Sequence, residues 1–367
     1  MFSMKSVAVA AALATCGLAQ AQSSANLYGV VDLSFGSFQY SADKTSATAP
    51  NPTDRKHVTK VDGNQMITSF IGFKGVEDLG DGLKAGFVLE SFLRPDTGAS
   101  GRNDASATAN ADVFWARASN VYLQSATLGK VTVGRQANLP FTQVVAFNPF
   151  GGGFGLSPAV RLTYGKWGND KGDSGWSNAV SYVTPTMAGV TGTVQLQPGE
   201  KTDGSEALSH GVGLSYSAGP LALAASSQRL RSAESPKLDF AKGQQQVFSL
   251  VNASYDAGFA KFFGEMGRIT NKGFTTNAVK ISTRLYQVGA AVPVTASGKL
   301  LVSWGSSTET PNAGGTTPKT RHDIGTLAYD HFLSKRTDVY VATMLDNEKK
   351  TNYQKGYSYL VGIRHAF

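Results

Sequence analysis

A chain of 367 residues with 41 glycines, 13 tyrosines, 20 phenylalanines and only 16% charged residues is composed for many short strands and turns rather than for long helices. Its single cysteine excludes a disulfide framework and a thiolate metal site. The formal net charge of +8 comes from dispersed lysines and arginines, without the clustering that a nucleic-acid interface needs, so small anions rather than nucleic acid are the expected partners.

In chain order, the first element is a secretory signal. Lys5 precedes an apolar run from Val7 to Ala14, and Ala19-Gln-Ala21 supplies a small-x-small cleavage site. Residues 1–21 are therefore read as a signal peptide and 22–367 as a single domain, with no linker or composition shift to divide it. Cys16 falls inside the signal, and Thr15 before it argues against lipoprotein processing. No later segment approaches the roughly 18 consecutive apolar residues of a transmembrane helix.

Strand-like segments bounded by turn chemistry follow at 26–38, 66–76, 82–94, 112–124, 130–136, 176–184, 190–199, 208–217, 220–230, 244–255, 259–269, 280–291, 298–307, 322–333, 337–345 and 355–367. These are sixteen, and short turns alternate with long polar loops, as in an antiparallel transmembrane β-barrel with short periplasmic turns and long extracellular loops. In 82–94, Leu83, Ala85, Phe87, Leu89 and Leu93 share one face, and Lys84, Glu90 and Arg94 the other. A lipid-facing Arg or Lys at mid-bilayer costs about 2–4 kcal/mol, so these charges are expected in the lumen, with a rim or subunit interface left open for Lys84. At the C-terminus, Tyr357, Tyr359, Val361 and Ile363 oppose Ser358, Leu360, Gly362 and Arg364, and the chain ends on an aromatic, Phe367. That pattern suits a barrel wall, although a terminal strand of a soluble sandwich also alternates.

One connection breaks the rhythm. About forty residues separate Gln136 from Trp176 and include Phe147-Asn-Pro-Phe-Gly-Gly-Gly-Phe-Gly155. A loop this long without its own structure is usually functional or disordered, and a sixteen-stranded barrel is wide enough for it to fold inward and narrow the lumen. Before it, Arg135 shares parity with Val131 and Val133, so it is expected to face outward, where an arginine is tolerable against protein rather than lipid.

Five strings resemble a known family in that family's own order. They are Asn26-Leu-Tyr-Gly-Val-Val-Asp32, Gly72-Phe-Lys-Gly-Val-Glu-Asp-Leu-Gly-Asp-Gly-Leu-Lys-Ala85, Val133-Gly-Arg-Gln136, Leu333-Ser-Lys-Arg-Thr337 and Val361-Gly-Ile-Arg-His-Ala-Phe367. Together they resemble the general trimeric porins of Gram-negative bacteria, of the β-proteobacterial type, over the whole mature length. The resemblance implies an outer-membrane homotrimer passing small hydrophilic solutes by passive diffusion, with the third loop as a constriction. It also implies contact with outer-membrane lipids and lipopolysaccharide, and recognition of Phe367 by the barrel assembly machinery. It implies neither enzymatic activity nor any cofactor.

Carried over residue by residue, Arg117 stands at a wall arginine of the family's constriction and Arg161 at a weaker match to another. Phe70 occupies the place of a third, with Lys74 and Arg94 as nearby cationic substitutes and Glu90 on the same inward parity. Alternation does not fix the direction of Arg117, which shares parity with Val121 and Leu123. Pro149 stands where the family's loop acid would be, and no Asp or Glu lies between Ala137 and Asn169. The constriction set is thus Lys74, Glu90, Arg94, Arg117, Arg161, Phe70 and Phe150, and an anion or organic-acid preference is expected. Phe141, Phe147, Phe150 and Phe154 either stack on solutes or anchor the loop. Arg135 is expected to contact neighbouring subunits. Two alternatives remain at this stage: an eighteen-stranded, sugar-specific porin, and an outer-membrane lipase, for which the five dispersed histidines give no support.

Overall fold

The computed structural model describes residues 24–44, 56–102, 112–164, 172–200, 207–231, 243–273, 280–311 and 319–367. The expected signal peptide 1–21, with Cys16, and Lys166 lie outside the described residues. The wall strands are β1 (Ser24–Phe38), β2 in two pieces (Val58–Gly63 and Phe70–Gly80), β3 (Leu83–Arg94), β4 (Ala118–Ser125), β5 (Gly129–Ala137), β6 (Gly175–Val183), β7 (Val190–Gln197), β8 (Ser209–Ala218), β9 (Leu221–Leu230), β10 (Gln245–Asp256), β11 (Lys261–Lys272), β12 (Ile281–Pro293), β13 (Gly298–Pro311), β14 (Thr320–Phe332), β15 (Thr337–Lys349) and β16 (Gly356–Ala366). Every neighbour pair is antiparallel, and β1 pairs with both β2 and β16, so the sheet closes at sixteen strands. That count decides against the eighteen-stranded alternative.

Closure removes every free edge, which is what allows strands to sit in lipid with no unpaired backbone groups. The seam runs from Val30↔Ala366 to Ser37↔Tyr359. Phe367 extends it by one rung, donating its N–H to the Gly29 carbonyl at 3.1 Å and accepting from the Gly29 N–H at 3.2 Å. Ser24, Phe367 and the short turns share one rim; the strand ends that lead into the long connections share the other. On the outer face stand Leu27, Phe35, Val121, Val133, Leu214, Val251, Met266, Val341, Tyr359 and Ile363, all exposed. Alternation therefore puts the expected apolar set outward.

Two stretches depart from the expected strands. The segment read as 66–76 is an interrupted strand: Leu33 pairs with Gly63 and Val30 with Phe70, so residues 64–69 leave the ladder as an inward elbow. The segment read as 112–124 enters the wall only at Ala118. The long connection after β5 is not structureless either. It holds helix α1 (Leu139–Ala146), capped by Asn138, whose side chain accepts from the Phe141 N–H, and helix α2 (Pro158–Thr163), capped by Ser157. A proline near each start suits the first turn, where the missing N–H would have had no helical partner.

These helices lie on the inner wall. Val144, Phe150, Leu156, Val160, Leu162 and Tyr164 pack with Phe248, Leu250, Ile269, Leu285, Leu301, Ile324 and Leu360, which point inward from β10–β14 and β16. The loop thus covers an inner face on which this apolar cluster is interleaved with buried polar side chains such as Gln246, Asn252, Gln287 and Thr326.

The closing seam has no spare room at Gly29, where a Cβ would lie 2.5 Å from both the Phe70 carbonyl oxygen and the Phe367 ring. Gly29→Val is expected to cost about 1–3 kcal/mol through overpacking. The check is a lowered urea midpoint and a lower temperature for the folded-to-unfolded band shift on SDS gels.

Candidate functional site: the lumenal wall and its loop

The wall opposite the loop carries cations on aromatic faces. Tyr28 and Phe70, cross-strand residues of β1 and β2, meet edge to face with centroids 5.8 Å apart. The Lys74 ammonium sits 4.4 Å above the Tyr28 ring, and the Arg117 guanidinium sits 4.2 Å above Phe70 and 5.9 Å from Phe92. Glu90 of β3 ties the group together: it accepts from Tyr28 Oη at 2.5 Å and pairs with Arg117 Nε at 3.1 Å. Stacking of this kind holds a long cationic side chain against the wall while leaving its charge toward solvent. Lys74 is exposed, and Arg117 keeps 30% of its side chain accessible.

Arg117 reaches the lumen because it precedes the first ladder residue of β4, where alternation does not yet apply. Its N–H donates to the Glu90 carbonyl, which turns the side chain inward over Phe70. Lower on the same wall, Lys130 of β5 lies 3.9 Å above the Tyr122 ring. Lys84 faces inward on β3, in register with Asp78 and Gln124. Lys74 and Lys130 each have an aromatic face and, among the described residues, no carboxylate partner.

The loop is held from two sides. Asp32, fully buried on β1, receives three donors: Met66 N–H at 2.6 Å and Ile67 N–H at 2.9 Å on Oδ2, and Tyr340 Oη at 2.6 Å on Oδ1. The Asn64 N–H adds a bond to the Asp32 carbonyl, and Asn64 takes φ 67° to start the elbow. Leu156 of the loop then donates to the Gln65 carbonyl at 3.0 Å. Gly153 and Gly155 are required by this contact: a Cβ on Gly153 would lie 2.6 Å from the Gln65 oxygen, and one on Gly155 2.7 Å from the Gln65 Cα. On the far side Arg161 is clamped against β15. It pairs with Asp346 at 3.1 Å, stacks 4.7 Å over Tyr40 and bonds the Gly155 carbonyl, while His322 shares the same carboxylate at 2.5 Å.

Of the residues singled out in the sequence, Lys74, Glu90, Arg117 and Phe70 come together on the open wall. Arg161, 5% exposed, and Phe150, 2% exposed, lie beneath the loop as anchors rather than on the water-facing side. Their position follows from the apolar inner faces of β10–β16, which demand a covering surface. Arg94 sits at the loop-side end of β3, where its carbonyl accepts from Gly98 and its Nε donates to the Ser100 carbonyl.

Arg135, expected to face outward as a latch between subunits, uses its guanidinium within the chain. A bulge at Gly134/Gln136 displaces it from simple alternation, and it donates to the Ala116 carbonyl, Ser177 Oγ and Asp173 Oδ2. Asp173 also pairs with Arg102 at 2.5 Å, and Arg102 with Asp112. Burial pulls against the charge of Arg102, but Asp173 and Asp112 hold its guanidinium above the ordinary value. These ion pairs lash the connections before β4 and β6 to the rim. Tyr28, Asp32, Phe92 and Asp346 were not singled out; the inward parity of Asp32 in an otherwise apolar strand was the one available signal.

A sixteen-stranded closed barrel with a loop pinned inside it and cations along the free wall has the geometry of a channel. The family model described as Gram-negative porin matches residues 8–351. The chain belongs to the Gram-negative porin family. As a porin it resides in the outer membrane and forms a general diffusion channel. It is 30% identical to outer membrane porin protein 32 of Delftia acidovorans over 99% of both chains. To an outer membrane porin protein of Bordetella pertussis it is 26% identical, covering 99% of this chain and all of the relative. Among solved structures, an anion-selective porin from Comamonas acidovorans superposes with TM-score 0.73 at 24% identity, covering 94% of this chain and 100% of that one. The trimer form of OmpT from Vibrio cholerae gives 0.66 at 13% identity, covering 94% and 99%.

The three donors on Asp32 make it the pin of the porin's inner elbow. Asp32→Asn removes the charge and one of the two acceptor oxygens, so Tyr340 Oη must turn from donor to acceptor, and about 1–3 kcal/mol should be lost. The expected readout is noisier, larger single-channel current and faster proteolysis within 138–164, with unchanged far-UV circular dichroism.

Proposed function

We propose that this porin favours small anions, organic carboxylates among them, and that the selecting surface is the wall formed by Lys74, Arg117, Tyr28 and Phe70. The observation that carries this reading is the exposed Lys74 ammonium, held on an aromatic ring with no carboxylate partner among the described residues. Glu90 offsets Arg117 only in part, Lys130 continues the positive potential toward the short-turn rim, and Lys84 stands opposite Asp78. Residues 137–164 of the loop hold no Asp or Glu, and Asp173 at its far end is paired with Arg102 and Arg135. Within a few ångströms of a permeating ion, such charges act inside the Debye length of about 8–10 Å and are poorly screened. Arginine adds a planar fork suited to carboxylate and phosphate. The Comamonas porin of the same fold is anion-selective, which agrees with this reading.

Assembly as a homotrimer is part of the proposal. It is supported by the trimer form of OmpT and by an aromatic cluster on the outer face, where Trp115 meets Phe73 at 6.3 Å and Phe114 at 4.7 Å. Residues 1–21 act as the cleaved export signal in this reading, and Phe367 as the terminal residue recognised during insertion.

Reversal potentials across a KCl gradient in planar bilayers test the selectivity. Chloride should permeate better than potassium, and Lys74→Glu should move the potential toward cations, with Arg117→Glu adding to the shift. Cation preference in the wild type, or no movement in Lys74→Glu, overturns the reading.

A further inference from the structure

The inner wall beneath the loop holds one carboxylate that neither the water-facing wall nor the loop clamp uses. Glu265 of β11 shares the inward parity of Ile269 and stands between Asn252 of β10 and Gln287 of β12, each its direct cross-strand partner. The three are 6%, 1% and 2% exposed, respectively. Side chains paired in this way start from Cβ atoms about 4.5–5.5 Å apart, within reach of one another. The row ends at Ala224 on β9 and Gly305 on β13, which add no polar side chain.

The hydrogen bonds of this row leave three acceptors unmet. Asn252 Nδ2 donates to Gln143 Oε1 of α1 at 3.3 Å, and Gln287 Nε2 donates to Ser303 Oγ at 3.0 Å. With both amide nitrogens engaged, Asn252 Oδ1 and Gln287 Oε1 remain as acceptors. Neither they nor Glu265 Oε2 receive a hydrogen bond among the described residues. Among the same residues, no Lys, Arg or His pairs with Glu265. A buried carboxylate is costly to ionise until a charge or donors compensate it. Ionised carboxylate and amide oxygens only accept, so the complement of this row is electropositive. A water molecule brings two donors and no charge, whereas a cation satisfies all three oxygens at once.

The loop roofs the row. Gln143 also accepts from Ser226 Oγ at 2.7 Å. Pro149 lies over Gly289, two residues along β12 from Gln287, where a Cβ would be 2.8 Å from the proline ring. We propose that Glu265, Asn252 and Gln287 bind an alkali-metal cation, K⁺ or Na⁺, between the wall and the loop. Carboxylate and carbonyl oxygens are the donors that hard cations take, and carbonyl oxygens replace the hydration shell of K⁺ in channels. One carboxylate balances one positive charge, which favours a monovalent ion over a divalent one. Through Asn252 and Gln143 the ion is linked to α1, so it acts as a structural counter-ion of the loop and takes no part in the Lys74–Arg117 wall.

The test is the unfolding temperature of the full-length porin in a non-ionic detergent, followed by circular dichroism. KCl, NaCl, CaCl₂ and N-methyl-D-glucamine chloride are compared at equal ionic strength, for the wild type, Glu265→Gln and Gln287→Leu. The wild type should gain about 2 °C for each tenfold rise in KCl or NaCl above half-saturation. The bulky organic cation should give no such gain, and both variants should lose the dependence on the cation. Should the variants fail to fold, wild-type crystals with Tl⁺ in place of K⁺ should show an anomalous peak beside Glu265 Oε2. Absence of that peak, equal unfolding temperatures in all four salts, or a cation dependence that survives in both variants overturns the proposal. Indifference to the cation with stabilisation on acidification, lost in Glu265→Gln, overturns it in favour of a protonated Glu265. Stronger stabilisation by Ca²⁺ than by K⁺, lost in Glu265→Gln, overturns the choice of a monovalent ion.

Discussion

Three hydrogen-bond donors converging on one buried carboxylate determine how this barrel is used. Asp32 takes two backbone N–H groups of the elbow and the hydroxyl of Tyr340, so β2 is able to leave the ladder without leaving polar groups unpaired inside the wall. The elbow in turn presents the Gln65 and Met66 backbone to the loop, which approaches only because Gly153 and Gly155 lack side chains. From the other side Arg161, Asp346 and His322 close the clamp. A buried pair of this kind is costly to break from one side, about 3–5 kcal/mol, so loop position and barrel closure are coupled through the same few groups.

The interior chemistry follows from that clamp. Barrel lumens are commonly polar, yet here Phe248, Leu250, Ile269, Leu285, Leu301 and Ile324 face inward and are buried. Each fully buried side chain of that size contributes about 1.5–3 kcal/mol relative to exposure, and the loop's Val144, Leu156, Val160 and Leu162 supply the matching surface. Buried polar side chains such as Gln246, Asn252, Gln287 and Thr326 share the same inner faces beneath the loop. On the opposite wall, aromatic rings of β1–β4 serve as platforms for Lys74, Arg117 and Lys130.

Much of this was legible in the sequence, and the limits have physical causes. Alternation of period two identified the wall strands, the inward parity of Glu90 and the outward face of the closing strand, because a lipid solvent on one side enforces it. It failed where the backbone is governed by distant partners. The elbow 64–69 depends on Asp32 and Tyr340, far away in sequence. Arg117 turns inward because it stands before the ladder begins. Arg135 is displaced by a bulge, and its partners are Asp173 from the far end of the loop and Ser177 from the start of β6. Arg161 and Phe150 were expected in the constriction, but whether a loop residue faces water or wall depends on the inner faces of β10–β16, whose apolar side chains lie on the same parity that usually reads as lumen. Of the two readings of the loop phenylalanines, Phe150 follows the anchoring one.

The central claim is that the loop covers one half of the interior while the Lys74–Arg117 wall lines the water path. Accessibility to an anionic, membrane-impermeant thiol reagent tests it most directly, because Cys16 is the only native cysteine and lies in the expected signal peptide. Single cysteines placed by Lys74→Cys and Ala342→Cys both point inward, but Ala342 is buried beneath the loop. The account predicts rapid modification and reduced conductance for Lys74→Cys and protection for Ala342→Cys, with Asp32→Asn removing that protection. Rapid modification of Ala342→Cys in an otherwise native channel, or protection of Lys74→Cys, would contradict it.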